Sequence, residues 1–169
     1  DLFGFDSAAR VAFDYRFGLM RGTQLGVHRN NGKTIQFSGQ HNVVKEGFSG
    51  PLSVDALVTV EGVNNFRNDY SSAIWVIVSR KIGARRGALY VEPIWVANTN
   101  PLPDQDANNN HTLMLGLGGR VAMARSLYLI GEVTPRLSGY KPGDAYVAFG
   151  LEKLLGGHSF QINFTNWLS

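Results

Sequence analysis

The feature that most constrains this chain is a strict two-residue alternation, clearest between Ala145 and Asn166. From Ala145 the odd positions read Ala145, Val147, Phe149 and Leu151, with Tyr146, Ala148, Gly150 and Glu152 between them. After Leu154-Leu155-Gly156-Gly157 the pattern resumes: Phe160, Ile162 and Phe164 alternate with Ser159, Gln161, Asn163 and Thr165. Successive side chains of a strand point to opposite faces. The stretch therefore predicts a hairpin with one apolar and one polar face, turned at its glycines.

The same unit recurs, and ten strands are expected. The first, about Ala8 to Phe17, sets Val11, Phe13, Tyr15 and Phe17 against Arg10, Ala12, Asp14 and Arg16. A turn at Leu19–Gly22 leads to Leu25 and Val27, which oppose Gln24, Gly26 and His28. Asn30-Asn31-Gly32 is a turn signal, because Asn and Gly tolerate positive φ. The third strand alternates Ile35, Phe37, His41 and Val43 with Gln36, Ser38, Gln40 and Asn42, and the fourth alternates Val54, Ala56, Val58 and Val60 with Asp55, Leu57, Thr59 and Glu61. A polar loop, Gly62 to Tyr70, precedes the fifth strand, Ser72–Arg80, which is apolar on both faces from Ala73 to Val78. Such a strand is expected against a plug, a partner protein or a packed wall. The sixth carries Leu89, Val91 and Trp95 against Tyr90 and Glu92; Pro93 removes a ladder donor there, which predicts a nearby bulge. Beyond the Asn98–His111 loop come Leu113, Leu115 and Leu117 against Met114, Gly116, Gly118 and Arg120. Leu127, Leu129 and Val133 then oppose Tyr128, Ile130, Glu132, Thr134 and Arg136. The opening hairpin completes the set.

At 169 residues the chain, residues 1–169, is a single domain by size, long enough to close a barrel or stack a sandwich. Alternation alone leaves two barrels open. A soluble, ligand-binding barrel of lipocalin type is apolar inside, and a transmembrane barrel is apolar outside. Composition separates them. The polar rows hold Gln, Asn, Ser, Thr, Gly and Tyr, and the whole chain has five lysines and a charged fraction of only 17%. Soluble domains average about 25% charged residues, and a water-facing exterior is dense in Lys and Glu. Strands of this length match the ~9–11 residues that cross a bilayer with tilt. The compact connections hold Arg21, Lys45, Lys81, Arg85, Arg86, Arg125 and Lys153, and the longer polar loops fall between the other strand pairs. Short turns at one end and longer loops at the other are the outer-membrane pattern. The reading is an all-β, antiparallel, up-and-down transmembrane barrel of a bacterial outer membrane.

On that reading Phe13, Tyr15, Phe17, Trp95, Leu115, Leu129, Phe149, Phe160, Ile162 and Phe164 face membrane lipid. Tyr15, Phe17, Trp75, Trp95 and Trp167 are candidate interfacial aromatics. Arg10, Asp14, Arg16, Asp55, Glu61, Glu92, Arg120, Glu132, Arg136 and Glu152 line the lumen. Charges of both signs in a narrow barrel pair, because an unpaired buried charge costs several kcal/mol. The lumen is then either a cross-linked structural core or a pathway for a small solute.

Other chemistry finds little footing. The absence of cysteine removes disulfides, thiolate metal sites and Cys nucleophiles. A net charge of +3, scattered along the chain, gives no nucleic-acid footprint. His28, His41, His111 and His158 stand apart with no metal-ligand spacing. Asp104-Gln105-Asp106-Ala107-Asn108 opens like a calcium loop, yet Asn109 replaces its glycine and Leu115 its terminal glutamate. Gly116-Leu117-Gly118-Gly119 has Val121 at the third glycine of a dinucleotide loop, so its glycines read as aids to bending or close packing. The sequence calls for no cofactor, no metal and no catalytic residue. A lipid hydrolase of the outer membrane is the enzymatic alternative. The Gly-x-Ser-x-Gly elbow is absent, but a lipase of the barrel type needs none, and this reading requires a Ser or Thr within reach of a histidine. Asn110-His111-Thr112 and Asn163-Phe164-Thr165 match the glycosylation pattern, but the second is expected within a strand, and both are discounted.

Three segments carry a resemblance. Tyr90-Val91-Glu92-Pro93-Ile94-Trp95-Val96-Ala97-Asn98-Thr99-Asn100, Tyr128-Leu129-Ile130-Gly131-Glu132-Val133-Thr134-Pro135-Arg136 and Gly157-His158-Ser159-Phe160-Gln161-Ile162-Asn163-Phe164-Thr165-Asn166 resemble a bacterial family of membrane-bound β-barrel proteins, DUF5777. The resemblance implies an outer-membrane barrel and brings no catalytic residues. A last expectation concerns closure. The compact turns follow the odd-numbered strands, so if they are periplasmic both chain ends lie outside, unlike the ends of an even-stranded barrel. One further strand at each end would give about twelve in the full protein.

Overall fold

The computed structural model describes residues 12–83, 86–99, 110–140, 144–156 and 158–166. It is one antiparallel sheet. The strands are β1 (Ala12–Met20), β2 (Thr23–Asn30), β3 (Ile35–Val44), β4 (Ser53–Gly62), β5 (Asn68–Ile82), β6 (Gly87–Ala97), β7 (His111–Ala124), β8 (Leu127–Thr134), β9 (Arg136–Ser138), β10 (Tyr146–Leu155) and β11 (His158–Thr165). Each pairs with its chain neighbour along the path β1-β2-β3-β4-β5-β6-β7-β8-β10-β11, and β9 pairs with β7. Strand β9 continues β8 beyond Pro135: the Leu115 amide donates to the Pro135 carbonyl at 3.1 Å, and Arg136 lies opposite Met114. The ten-strand reading therefore holds along the path. Among the described residues β1 pairs only with β2 and β11 only with β10, so the sheet is not closed.

Register carries the two-faced pattern from strand to strand. One row joins Tyr15, Val27, Phe37 and Val60; another joins Val121, Leu129, Leu151 and Ile162. This face is exposed: Phe160, Ile162 and Phe164 are 60%, 66% and 57% accessible. The polar rows occupy the opposite face, where Thr59, Glu92, Thr134 and Glu152 are buried. Two cavities, about 390 and 170 Å³, open on the polar side. The sheet thus curves around its polar face and presents its apolar face outward.

Several expectations need correction. The strands run further into the compact turns than alternation shows. Leu19 and Met20 belong to β1, Met123 and Ala124 to β7, and Leu154 and Leu155 to β10. No register shift occurs at Pro93. Pairing with β5 lapses between Trp75–Ile94 and Val78–Val91 and resumes in the same register, so the missing donor leaves a gap rather than a bulge. Register shifts instead fall at Gly18/Met20, Asn42/Val44 and Ala122/Ala124, beside three compact turns, and at Leu113/Met114. The loop after β4 contains one helical turn, α1 (Val63–Phe66), with positive φ at Asn64, Asn65 and Phe66. Trp75 is not on the outer face: its cross-strand partners are Leu57 and Ile94, on the polar side.

Candidate functional site

The concave face divides into two polar clusters separated by an apolar ladder. On the β1–β4 side, the Arg16 guanidinium donates to Asp14 at 2.9 Å, with His28 Nδ1 at 3.6 Å from the same carboxylate. Gln24 donates to Gln40 at 2.6 Å, and Asn42 donates to Asp55 at 3.0 Å. Gln40 also reaches Asp55 at 3.5 Å, and Gln36 donates to Glu61 at 3.2 Å. Arg16 and Asp14 meet two residues apart on β1, and the other pairs meet because their partners occupy same-face positions one strand away. The smaller cavity lies among Asp14, Arg16, Gln24, Gln36 and Gln40.

The divider runs Leu57–Trp75–Ile94–Met114, four cross-strand neighbours on β4 to β7. Ile94 is buried, and the Trp75 indole nitrogen is buried without a hydrogen-bond partner. This ladder accounts for the inward half of the doubly apolar 72–80 strand.

On the β6–β11 side, Glu152 is the hub. It accepts from Arg120 Nη1 at 2.9 Å, from Ser159 at 2.9 Å and from Gln161 at 3.3 Å. The Arg120 guanidinium also lies 4.4 Å from the Tyr128 ring centroid. Glu132 accepts from the Tyr90 hydroxyl at 2.5 Å and from Thr134 at 2.9 Å. Buried Glu92 lies across Gly116, and no described residue is its hydrogen-bond or ion-pair partner. The larger cavity opens here among Tyr90, Arg120, Glu132, Tyr146, Glu152 and Asn163.

All the expected lining residues that are described, from Asp14 to Glu152, lie on this face. Among the described residues, guanidinium–carboxylate pairs join Arg16 to Asp14 and Arg120 to Glu152. Arg136 stands at the end of the face and donates to the Asp144 carbonyl at 3.4 Å. Arg10, Trp167 and the 104–109 segment lie outside the described residues. The sequence reading missed the neutral donors, Tyr90, Gln24, Gln40, Ser159 and Gln161. Their inward parity was visible, but partner choice needs the register.

One contact meets the distance condition for a hydrolase: Thr23 Oγ1 lies 2.7 Å from His41 Nδ1. The pair sits on the outer face, and no described carboxylate or amide hydrogen-bonds to His41 to orient its ring. No cluster of three or more metal-ligating side chains occurs among the described residues.

A polar, hydrogen-bonded concave face beneath an exposed apolar one is the inverse of a water-soluble barrel. The family model described as "Membrane bound beta barrel domain (DUF5777)" matches residues 1–169. The chain belongs to this family. No curated protein and no solved structure matches it. The family description places the domain at a membrane, and its outward rows of Phe, Leu, Ile and Val are exposed. No helix of the described residues is long and apolar enough to cross a membrane.

Proposed function

We propose that this domain is the wall of a narrow passive pore in a bacterial outer membrane, that its polar face is the lumen, and that it catalyses no reaction. The observation that carries the reading is the 390 Å³ space left on a face where the carboxylates of Glu132 and Glu152 are already held by protein donors. A lining that holds these two carboxylates with its own donors and still leaves room suits a hydrated small solute without trapping it. Membership in a membrane-bound family and the exposed apolar face remove the soluble barrel with an apolar cavity. Within this reading the 72–80 strand needs no partner protein, because Trp75 and Ile77 pack in the lumen wall.

The test is single-channel recording in planar bilayers with the folded protein. Stepwise conductance is expected. Silence across voltage and salt would overturn the passage and leave a structural barrel. The hydrolase alternative rests on Thr23 and His41 alone, and a fluorophosphonate probe that labels the wild type but not Thr23→Ala would establish it instead.

A further inference from the structure

Among the described residues, cations at one end of the sheet stand almost without acids, and those at the other are mixed with them. All five compact turns lie at one end of the meander, since each follows a strand running the same way. Arg21 sits in the first, Lys45 in the second, Lys81 and Arg86 flank the third, and Arg125 lies in the fourth. All are exposed, and none forms a salt bridge with a described residue. The acid in these turns is Glu46, whose carboxylate accepts the Lys81 backbone amide at 3.0 Å. At the opposite end, Arg29, Lys33, Arg67 and Arg136 are mixed with Asp69 and Asp144.

Two more cations decide what this rim faces. Arg80 lies opposite Leu89, and Lys153 lies opposite Leu127 and Phe160, so both stand on the apolar outer face. Leu89 and Phe160 are 53% and 60% exposed. A cation at the end of a lipid-facing row lays its aliphatic stem along apolar surface and lifts its charge to the interface. A soluble polyanion would meet the turn tips but has no reason to reach the outer face two residues inside the strand ends at Ile82 and Leu155. The phosphate layer of a bilayer lies at that level.

We infer that this basic rim binds the headgroups of anionic glycerophospholipids in one leaflet. The contact needs only membrane insertion, not a conducting lumen. Each Lys or Arg near an anionic membrane surface adds attraction that falls off within a Debye length.

Spin-labelled phosphatidylglycerol and phosphatidylcholine, compared by electron paramagnetic resonance on the protein reconstituted in phosphatidylcholine, test this directly. The motionally restricted fraction should favour phosphatidylglycerol by about threefold or more. That preference should collapse in 1 M salt, where the Debye length is about 3 Å. Arg80→Gln with Lys153→Gln should reduce it, while Arg67→Gln at the other end should not. Equal association of the two lipids at low salt overturns the inference, as does a preference that survives 1 M salt. The salt titration on the unmodified protein keeps the test decisive even if the double variant fails to insert.

Discussion

Gly118 is the residue at which one added atom decides whether the Tyr90–Glu132 network of the concave face forms. It stands between Tyr90 and Glu132 in a single cross-strand row. A Cβ there would strike the Tyr90 hydroxyl and ring and the Gly131 carbonyl oxygen. Gly118→Ala should therefore push Tyr90 off Glu132 and cost about 1–3 kcal/mol, read as a lowered unfolding midpoint in detergent. Tyr90→Phe should cost about 1.5–3 kcal/mol, since it loses a hydrogen bond to a charged group. The two changes together should cost less than their sum, because the hydroxyl that the alanine displaces is already gone. Simple additivity, as for independent sites, would show that the glycine serves something other than the Tyr90 contact. Of the two roles the sequence offers for glycines in this strand, close packing is the one seen at Gly118.

The least regular element described is the turn α1. Asn65 donates its amide to the Lys33 carbonyl at 2.7 Å and accepts from Arg29 at 3.0 Å, which ties the β4–β5 connection to the β2–β3 turn. Phe66 packs edge-on against Phe37 and Tyr70 at 5.3 and 5.1 Å. These contacts hold three residues at positive φ, which asparagine tolerates and β-branched residues do not. Asn64 is exposed, so its substitution isolates the backbone preference. Asn64→Val should destabilise by about 1–2 kcal/mol and Asn64→Gly should not, by unfolding in detergent. An equal loss in both would place the cost in the asparagine side chain. At this scale the sequence shows faces better than ends. Every amphipathic strand kept its predicted faces, since period-two parity survives wherever pairing is regular. The ends of β1 and β7 escaped because register shifts at Gly18/Met20 and Ala122/Ala124 reset parity beside the compact turns, and the end of β10 escaped because Leu154-Leu155 breaks the alternation while the pairing runs on regularly. Trp75 escaped for another reason: a strand apolar on both sides has no parity signal, and its inward direction follows only from Leu57 and Ile94. Partner choice was equally hidden, because Arg120 and Glu152 stand on strands separated by β8.

For the whole molecule, the sign of the net charge and the sign of the concave polar face differ. The chain carries +3, yet the described concave face carries Asp14, Asp55, Glu61, Glu92, Glu132 and Glu152 against Arg16 and Arg120, with Arg136 at its end. Both of those inner guanidiniums are engaged, Arg16 by Asp14 and Arg120 by Glu152. Asp55, Glu61 and Glu132 are left with neutral donors, Gln40 and Asn42 for the first, Gln36 for the second, and Tyr90 and Thr134 for the third. Fixed charge inside a narrow low-dielectric wall sets which ions concentrate there, whereas exposed cations at the rim are screened by salt. If the lumen conducts, it should therefore prefer cations, and under a potassium chloride gradient the reversal potential should carry the sign of potassium permeation. Asp55→Asn with Glu61→Gln keeps the hydrogen-bonding shape of the lining while removing two charges, so it should move that potential toward zero at unchanged fold. A conducting barrel that selects chloride, or one whose reversal potential ignores the double substitution, would mean that the ion path bypasses the β3–β4 side of the lumen or is governed by the rim.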